Sequence, residues 1–165
     1  MKITDTHIYF YGSFLSQWFP SKFVYHNIVF NCAEQFMMFK KAVLFNDFES
    51  MEKILLAEHP REQKKIGRQI KNFDESLWLQ HRFEIVKQGN LLKFGNNPEL
   101  MKLLFGTEDK ILVEASPYDR IWGIGLSEDD PLILQEENWR GSNLLGKCLM
   151  QVRHELRLFE RMIKC

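Results

Sequence analysis

A chain of 165 residues that is 45% hydrophobic and 13% aromatic carries enough apolar mass for one domain, residues 1–165, with a single sizeable core. Lys plus Arg equal Asp plus Glu at 22 each, which argues against a broadly basic, sequence-independent nucleic-acid surface and leaves room only for a local basic pocket. Cys32, Cys148 and Cys165 are scattered, with no CxxC and no Cys/His zinc spacing, so the expectation is a reduced, cytoplasmic protein without a metal. No apolar run approaches the roughly 18 residues of a membrane span, and the polar start Met1-Lys2-Ile3-Thr4-Asp5 does not read as a signal peptide.

Residues His7 to Tyr11 alternate and predict a short strand ending at Gly12, followed by an irregular segment with Trp18, Phe19 and Pro20. Phe23-Val24-Tyr25 and Ile28-Val29-Phe30 flank His26-Asn27 as a hairpin. A helix then opens at Asn31, with Glu34 placed to reach back to the cap. Asn46 with Glu49 opens a second helix, and Pro60 a third that runs to about Phe73. Asp74 caps a long fourth, with Gly89 as its weak point, and Asn97-Pro98 starts a fifth that Gly106 closes. A strand is expected over Lys110 to Ala115, then a short helix capped by Ser116 with Pro117 at its first position. A polar loop over Glu128 to Gly141 leads to a last helix from about Asn143 to Ile163. The sum is a mainly α (α+β) domain with a small N-terminal hairpin and a minor sheet.

The helix from Asn31 carries the most suggestive pattern. At 100° per residue Glu34, Met37, Met38 and Lys41 share a face, and the Lys41 stem leans back toward Glu34. An acid and an amine among Met and Phe side chains fit a cleft; they also fit a capping Glu34 and a Lys41 that extends to water. In Glu114-Ala115-Ser116-Pro117-Tyr118-Asp119-Arg120-Ile121-Trp122-Gly123, the amides after Ser116 suit an anion, and Asp119 and Trp122 fall on one face. Capping by Asp119 and core packing by Trp122 account for that spacing too. Gly67-Arg68 suits a phosphate or a solvated guanidinium, and Trp78 a base-stacking platform or the core. Asn138 to Asn143 can close over a ligand or cap the last helix. No nucleophile–histidine relay is present in the pattern.

Taken together these segments resemble the YbiA-like family, also called NADAR. The resemblance is carried in order by Phe10-x-Gly12, Leu15-Ser16-Gln17-Trp18-Phe19-Pro20, Ala33-Glu34-Gln35-Phe36-Met37 with Lys41-Ala42, Gly67-Arg68, Trp78, and Lys93-Phe94 with Asn96. It continues with Leu103-Leu104, Glu114-Ala115-Ser116-Pro117-x-Asp119-x-x-Trp122-Gly123-x-Gly125, and Trp139-x-Gly141-x-Asn143-x-Leu145-Gly146 running on to Arg153, so that it spans about residues 8 to 157. Two positions depart: Ser16-Gln17 stands where the family usually has Ser-Asn, and Glu34-Gln35 where it commonly has Glu-His. The second departure removes a titratable ring beside the carboxylate.

The resemblance implies a mainly helical fold and N-glycosidase chemistry on a ribosylated, nucleotide-like small molecule, with no cofactor and no membrane partner. Phosphoribosylamino-pyrimidine intermediates of riboflavin synthesis are the first expectation, and ADP-ribose attached to guanine in nucleic acid the second. It maps functional positions onto Glu34, Lys41, Trp78, Asp119 and Trp122. Glu34 and Asp119 would then stabilise the cationic transition state and orient water, and Lys41 would offer a Schiff-base route. Trp78 and Trp122 would stack on the base, Arg68 hold a phosphate, and Ser116 and Asn143 contact substrate. A non-catalytic binding module for ADP-ribose and a purely structural helical domain are the competing expectations.

Overall fold

A computed structural model describes residues 1–164, and Cys165 lies outside the described residues. In chain order the elements are β1 (Lys2–Ile3), β2 (His7–Phe10), β3 (Phe23–Tyr25), β4 (Ile28–Phe30), α1 (Ala33–Leu44), α2 (Phe48–Leu56), α3 (Pro60–Gly67), α4 (Glu75–Gly95), α5 (Pro98–Phe105), β5 (Ile111–Glu114) and α6 (Leu144–Lys164). Two 3-10 turns, Pro131–Leu134 and Glu136–Asn138, lie before α6. This is the expected mainly helical α+β chain, and it divides into two packed units: Gln17–Pro98, and Met1–Ser16 with the stretch from Glu99 onward.

The Gln17–Pro98 unit is built on α1, which packs against α2, α3 and α4. Its residues from Ala33 through Phe39 are buried in unbroken succession, Glu34 and Gln35 among them. A helix buried all round must satisfy its polar side chains internally, and a network of amides does this. Gln35 accepts from the Asn31 backbone N–H at 2.8 Å and donates to the Ile54 carbonyl at 3.0 Å, tying the start of α1 to the end of α2. Gln63 donates to Asn31 Oδ1 at 3.0 Å and to the Ala57 carbonyl at 2.8 Å. The residue reaching back at this helix start is therefore Gln35, and the cap is Cys32 rather than Asn31. On the apolar side Phe36 lies 5.2 Å from Phe30 and 6.0 Å from Phe23, closing α1 against the β3–β4 hairpin. Full burial of each such ring contributes about 1.5–3 kcal/mol.

The hairpin forms as expected, with Val24 opposite Val29. His26 and Asn27 both adopt positive φ, 48° and 64°, the requirement of a two-residue primed turn. Three boundaries differ from expectation. The cap of α2 is Asp47, whose carboxylate accepts from Ser50 N at 3.1 Å and Lys71 N at 2.9 Å; Asn46 sits at φ 55° and serves the preceding turn. Helix α3 stops at Gly67 rather than near Phe73. Helix α4 is capped by Asp74, as the sequence indicates, and passes through Gly89 unbroken.

In the other unit β1 pairs antiparallel with β2, and β2 parallel with β5, in the order β1-β2-β5. The apolar stripe of α6, including Leu145, Leu149 and Val152, is buried, and the helix packs on β5. The expected short helix after Ser116 does not form. Asp119 Oδ1 accepts from both Ile121 N and Trp122 N at 2.8 Å, an Asx-type turn that takes the amides a helix would need. The chain then returns along β5, Ile124 N donating to the Glu114 carbonyl at 3.0 Å. Gly141 is required at its position, because a Cβ there would stand 2.3 Å from the Gly123 carbonyl oxygen.

Candidate active site

The Gln17–Pro98 unit holds Glu34, Lys41, Arg68 and Trp78. Glu34 is 5% exposed, near the start of α1, and its backbone N–H donates to the Gln17 carbonyl at 2.9 Å. Lys41 follows two turns later on the same helix and is half-buried. Its Nζ donates to the Gly67 carbonyl at 2.8 Å and lies 4.7 Å from the Phe73 ring and 5.2 Å from the Trp78 ring. The amine thus does not run out to water. It is turned in against the end of α3 and roofed by aromatics.

Burial pulls the Lys41 ammonium below the ordinary lysine range; the Glu34 carboxylate opposes that shift and the Arg68 guanidinium adds to it. Gly67 makes the arrangement possible. A Cβ at that position would stand 2.0 Å from Met38 Sδ, so any larger residue would make the Met38 side chain move where α3 meets α1 and presents its last carbonyl to Lys41. Arg68 is exposed at the C-cap of α3. Trp78, in the first turns of α4, is 9% exposed.

Two further groups shape the chemistry. Cys32, beside Glu34 in sequence, is buried and its Sγ donates to Gln63 Oε1 at 3.2 Å; burial pushes its thiol up to about 11, so it is not a nucleophile near neutral pH. Gln35, where the family commonly has His, is held among backbone groups of α2 and cannot carry a proton. Lys93 was not singled out as a functional candidate from the sequence. It is fully buried in α4, with Nζ 4.9 Å from the Phe94 ring and 5.7 Å from the Phe19 ring, and burial pulls its ammonium down to about 7. The available signal was its place on the stripe Val86, Gly89, Asn90, Lys93, at helical spacing and buried throughout.

In the other unit Ser116, Asp119, Trp122 and Asn143 lie along one irregular stretch and the start of α6. Both amide bonds to Asp119 fall on Oδ1, which leaves Oδ2 able to accept from another donor. Trp122 is half-buried, and its carbonyl accepts from Leu145 N at 3.1 Å. Ser116 is buried. Asn143 is buried at φ 50°, and both ends of its amide bind β5: Oδ1 accepts from Glu114 N at 3.0 Å and Nδ2 donates to the Leu112 carbonyl at 2.9 Å. Its visible work is to join α6 to the strand. Among the described residues no three His, Cys, Asp or Glu side chains gather as metal ligands, and no helix is long and apolar enough to cross a membrane.

The NADAR domain model matches residues 9–157. The chain is 43% identical over 165 residues to the N-glycosidase R617 of Acanthamoeba polyphaga mimivirus, covering 92% of this chain and 97% of that protein. It is 34% identical over 110 residues to the chloroplastic riboflavin biosynthesis protein PYRR of Zea mays, covering 64% of this chain and 16% of that one. The NMR structure of the E. coli protein YbiA superimposes with a TM-score of 0.78 at 23% identity, over 96% of this chain and 89% of that one, which shows the fold.

Proposed function

From the premise that the chain belongs to the NADAR family and is a hydrolase of N-glycosyl bonds, we propose that its substrate is a ribose 5-phosphate joined through nitrogen to an amino-pyrimidine, as in intermediates of riboflavin synthesis. The observation that carries this reading is the inward-turned Lys41 on the helix that bears Glu34, with Trp78 against its amine.

Cleavage of an N-ribosyl bond spreads positive charge over C1 and the ring oxygen. A fixed, desolvated carboxylate next to that charge binds the transition state more strongly than the ground state. Glu34 is given that role because it is an acid held almost entirely out of water. Trp78 offers a flat apolar surface to the base, and Arg68 a guanidinium to the phosphate. Asp119 and Trp122 are assigned from the family motif, Asp119 to orient water through Oδ2 and Trp122 to the base.

Lys41 supports a covalent route. The ribosylamine opens to an imine, and the neutral Nζ attacks C1 to give an aminal. The amino-pyrimidine leaves with a proton, and a Schiff base between C1 and Nζ remains. Water adds to C1 and expels the amine, releasing ribose 5-phosphate. The shift of Lys41 below the ordinary lysine range favours this route by raising the fraction of neutral amine. Borohydride added during turnover tests it: a sugar-phosphate mass fixed on Lys41, absent in Lys41→Arg, is expected. Full turnover with no adduct excludes the covalent step.

A second reading, removal of ADP-ribose from a nucleic-acid base, is favoured by Arg68, whose neighbour Gly67 accepts from Lys41 and whose guanidinium could meet a second phosphate. Comparing ADP-ribose release from ADP-ribosylated guanine with ribose 5-phosphate release from the pyrimidine separates the two.

A further inference from the structure

Two arginines in the unit that holds Asp119 are brought together by the fold. Arg120 follows Asp119 in the turn after β5, Arg140 stands shortly before α6, and both are exposed. They meet over Gly125. Its φ is 69°, and a Cβ there would stand 3.0 Å from Arg120 Cγ, 3.6 Å from Arg120 Nε and 3.1 Å from Arg140 Cβ. The Arg120 side chain thus lies along the glycine, and the Arg140 stem rises beside it. Main-chain bonds fix both residues: Arg140 N donates to the Ile124 carbonyl at 2.8 Å, and Ser142 N to the Arg120 carbonyl at 2.9 Å. Gly141 fits directly against Arg120, where a Cβ would come within 2.7 Å of Arg120 Cα.

The chain supplies these two charges with no counter-ion. Neither guanidinium takes part in an ion pair, a hydrogen bond or a ring contact among the described residues. Acids near them in sequence are engaged elsewhere: Asp119 Oδ1 accepts from Ile121 N and Trp122 N, and Glu136 pairs with His7 at 3.1 Å. Two like charges on stems this close repel each other, and an anion bound between them turns that repulsion into attraction. A carboxylate matches one guanidinium fork. A phosphate dianion, with two charges and three terminal oxygens, matches two.

We propose that Arg120 and Arg140, packed over Gly125, form a binding site for the phosphate group of a small phosphomonoester. Both positions fall in gaps of the motif, Asp119-x-x-Trp122 and Trp139-x-Gly141, so the family resemblance assigns them nothing. The substrate's own phosphate and a free phosphate ion present the same group, and the test separates these sources. Only the first source rests on the glycosidase reading, because inorganic phosphate binds without turnover.

The test is a titration of the ¹⁵N-labelled full chain with inorganic phosphate at constant ionic strength, followed by NMR. The amides of Gly125 and Gly141 are expected to shift together with a single dissociation constant, and an equal ionic strength of chloride should not move them. Arg120→Gln with Arg140→Gln should weaken binding at least about tenfold, while amides distant from the pair keep their positions and so report an intact fold. Arg120→Lys with Arg140→Lys keeps the charges without the forks and should retain part of the affinity. The proposal is overturned if millimolar phosphate leaves Gly125 and Gly141 unmoved, if chloride moves them equally, or if the Gln pair binds as the wild type does. Kinetics then identifies the source. If the site takes the substrate's phosphate, inorganic phosphate competes with substrate, and the Gln pair raises KM while kcat holds. If it takes a separate phosphate, both ligands bind at once and the Gln pair leaves KM unchanged. A failed glycosidase assay leaves the titration decisive.

Discussion

Glu34 and Lys41 can be separated experimentally because each perturbs the other in a known direction. The Glu34 carboxylate holds the Lys41 ammonium up against the burial that pulls it down. Glu34→Gln keeps the shape, removes the charge, and should lower kcat/KM by about 10²–10⁴. The same substitution should move the pH dependence of borohydride trapping at Lys41 to lower pH, since the amine loses the group favouring its charged form. A Glu34 that served only the helix start would leave turnover alone and cost little stability. Lys93 gives a second test, read in stability. Its folded value of about 7 lies below the ordinary lysine value of 10.5, so above pH 7 the unfolded chain binds the proton that the folded chain has released. Stability therefore rises with pH from 7, by up to about 1.4 kcal/mol per unit, and Lys41 adds in the same direction. Above pH 9 Cys32 works against this rise, because its thiol stays protonated in the folded chain to about 11 while that of the unfolded chain ionises. Urea midpoints at pH 7 and pH 9 should differ by about 2 kcal/mol of stability. Lys93→Met should remove most of that difference.

At the scale of elements, Gly67 decides how closely α3 meets α1. Alanine there would gain about 1 kcal/mol of helix propensity but force Met38 Sδ away from a 2.0 Å approach. Overpacking of this kind costs about 1–3 kcal/mol, so Gly67→Ala should lower the urea midpoint with an unchanged slope. It should also weaken borohydride trapping, because the carbonyl that holds Lys41 belongs to the displaced residue. Much of this level was legible in the sequence. The hairpin turn at His26-Asn27, the Asp74 cap and the amphipathic stripe of α6 each follow from local chemistry. What was not legible depended on competition between equally local options. Asn46 and Asp47 are both good caps, and the neighbour Lys71, distant in sequence, settled the choice for Asp47. Ser116-Pro117 is a sound helix start, overridden by an Asp119 carboxylate that binds the amides first. The two-residue β1 carries too little pattern to be read, and the parallel pairing of β2 with β5 joins segments a hundred residues apart. Of the candidate site, the face shared by Glu34 and Lys41 followed from helical periodicity. The roofing of that amine by Phe73 and Trp78 did not, because it requires two other segments to be folded against α1.

For the whole molecule, the question is whether burying Glu34, Gln35, Lys93 and Arg153 serves binding or only packing. Arg153 answers for packing: its guanidinium donates to Thr107 Oγ1 at 2.7 Å and to the Lys110 carbonyl at 3.0 Å, and it needs no ligand. An acid and an amine on one helix are different, because a ligand with a phosphate and several hydroxyls offers complementary groups to both. A ligand that binds the folded chain and not the unfolded one stabilises it by about 2.7 kcal/mol when present at a hundred times its dissociation constant. For a chain of this size that corresponds to a rise in Tm of about 5–10 °C. Ribose 5-phosphate, the product of the proposed reaction, should give such a rise in calorimetry, increasing with the logarithm of its concentration. Ribose without the phosphate should give a smaller one, and Arg68→Ala should reduce the difference between the two sugars. A purely structural helical domain would melt at the same temperature with either sugar, and that outcome would remove the reason for reading Glu34 and Lys41 as a site.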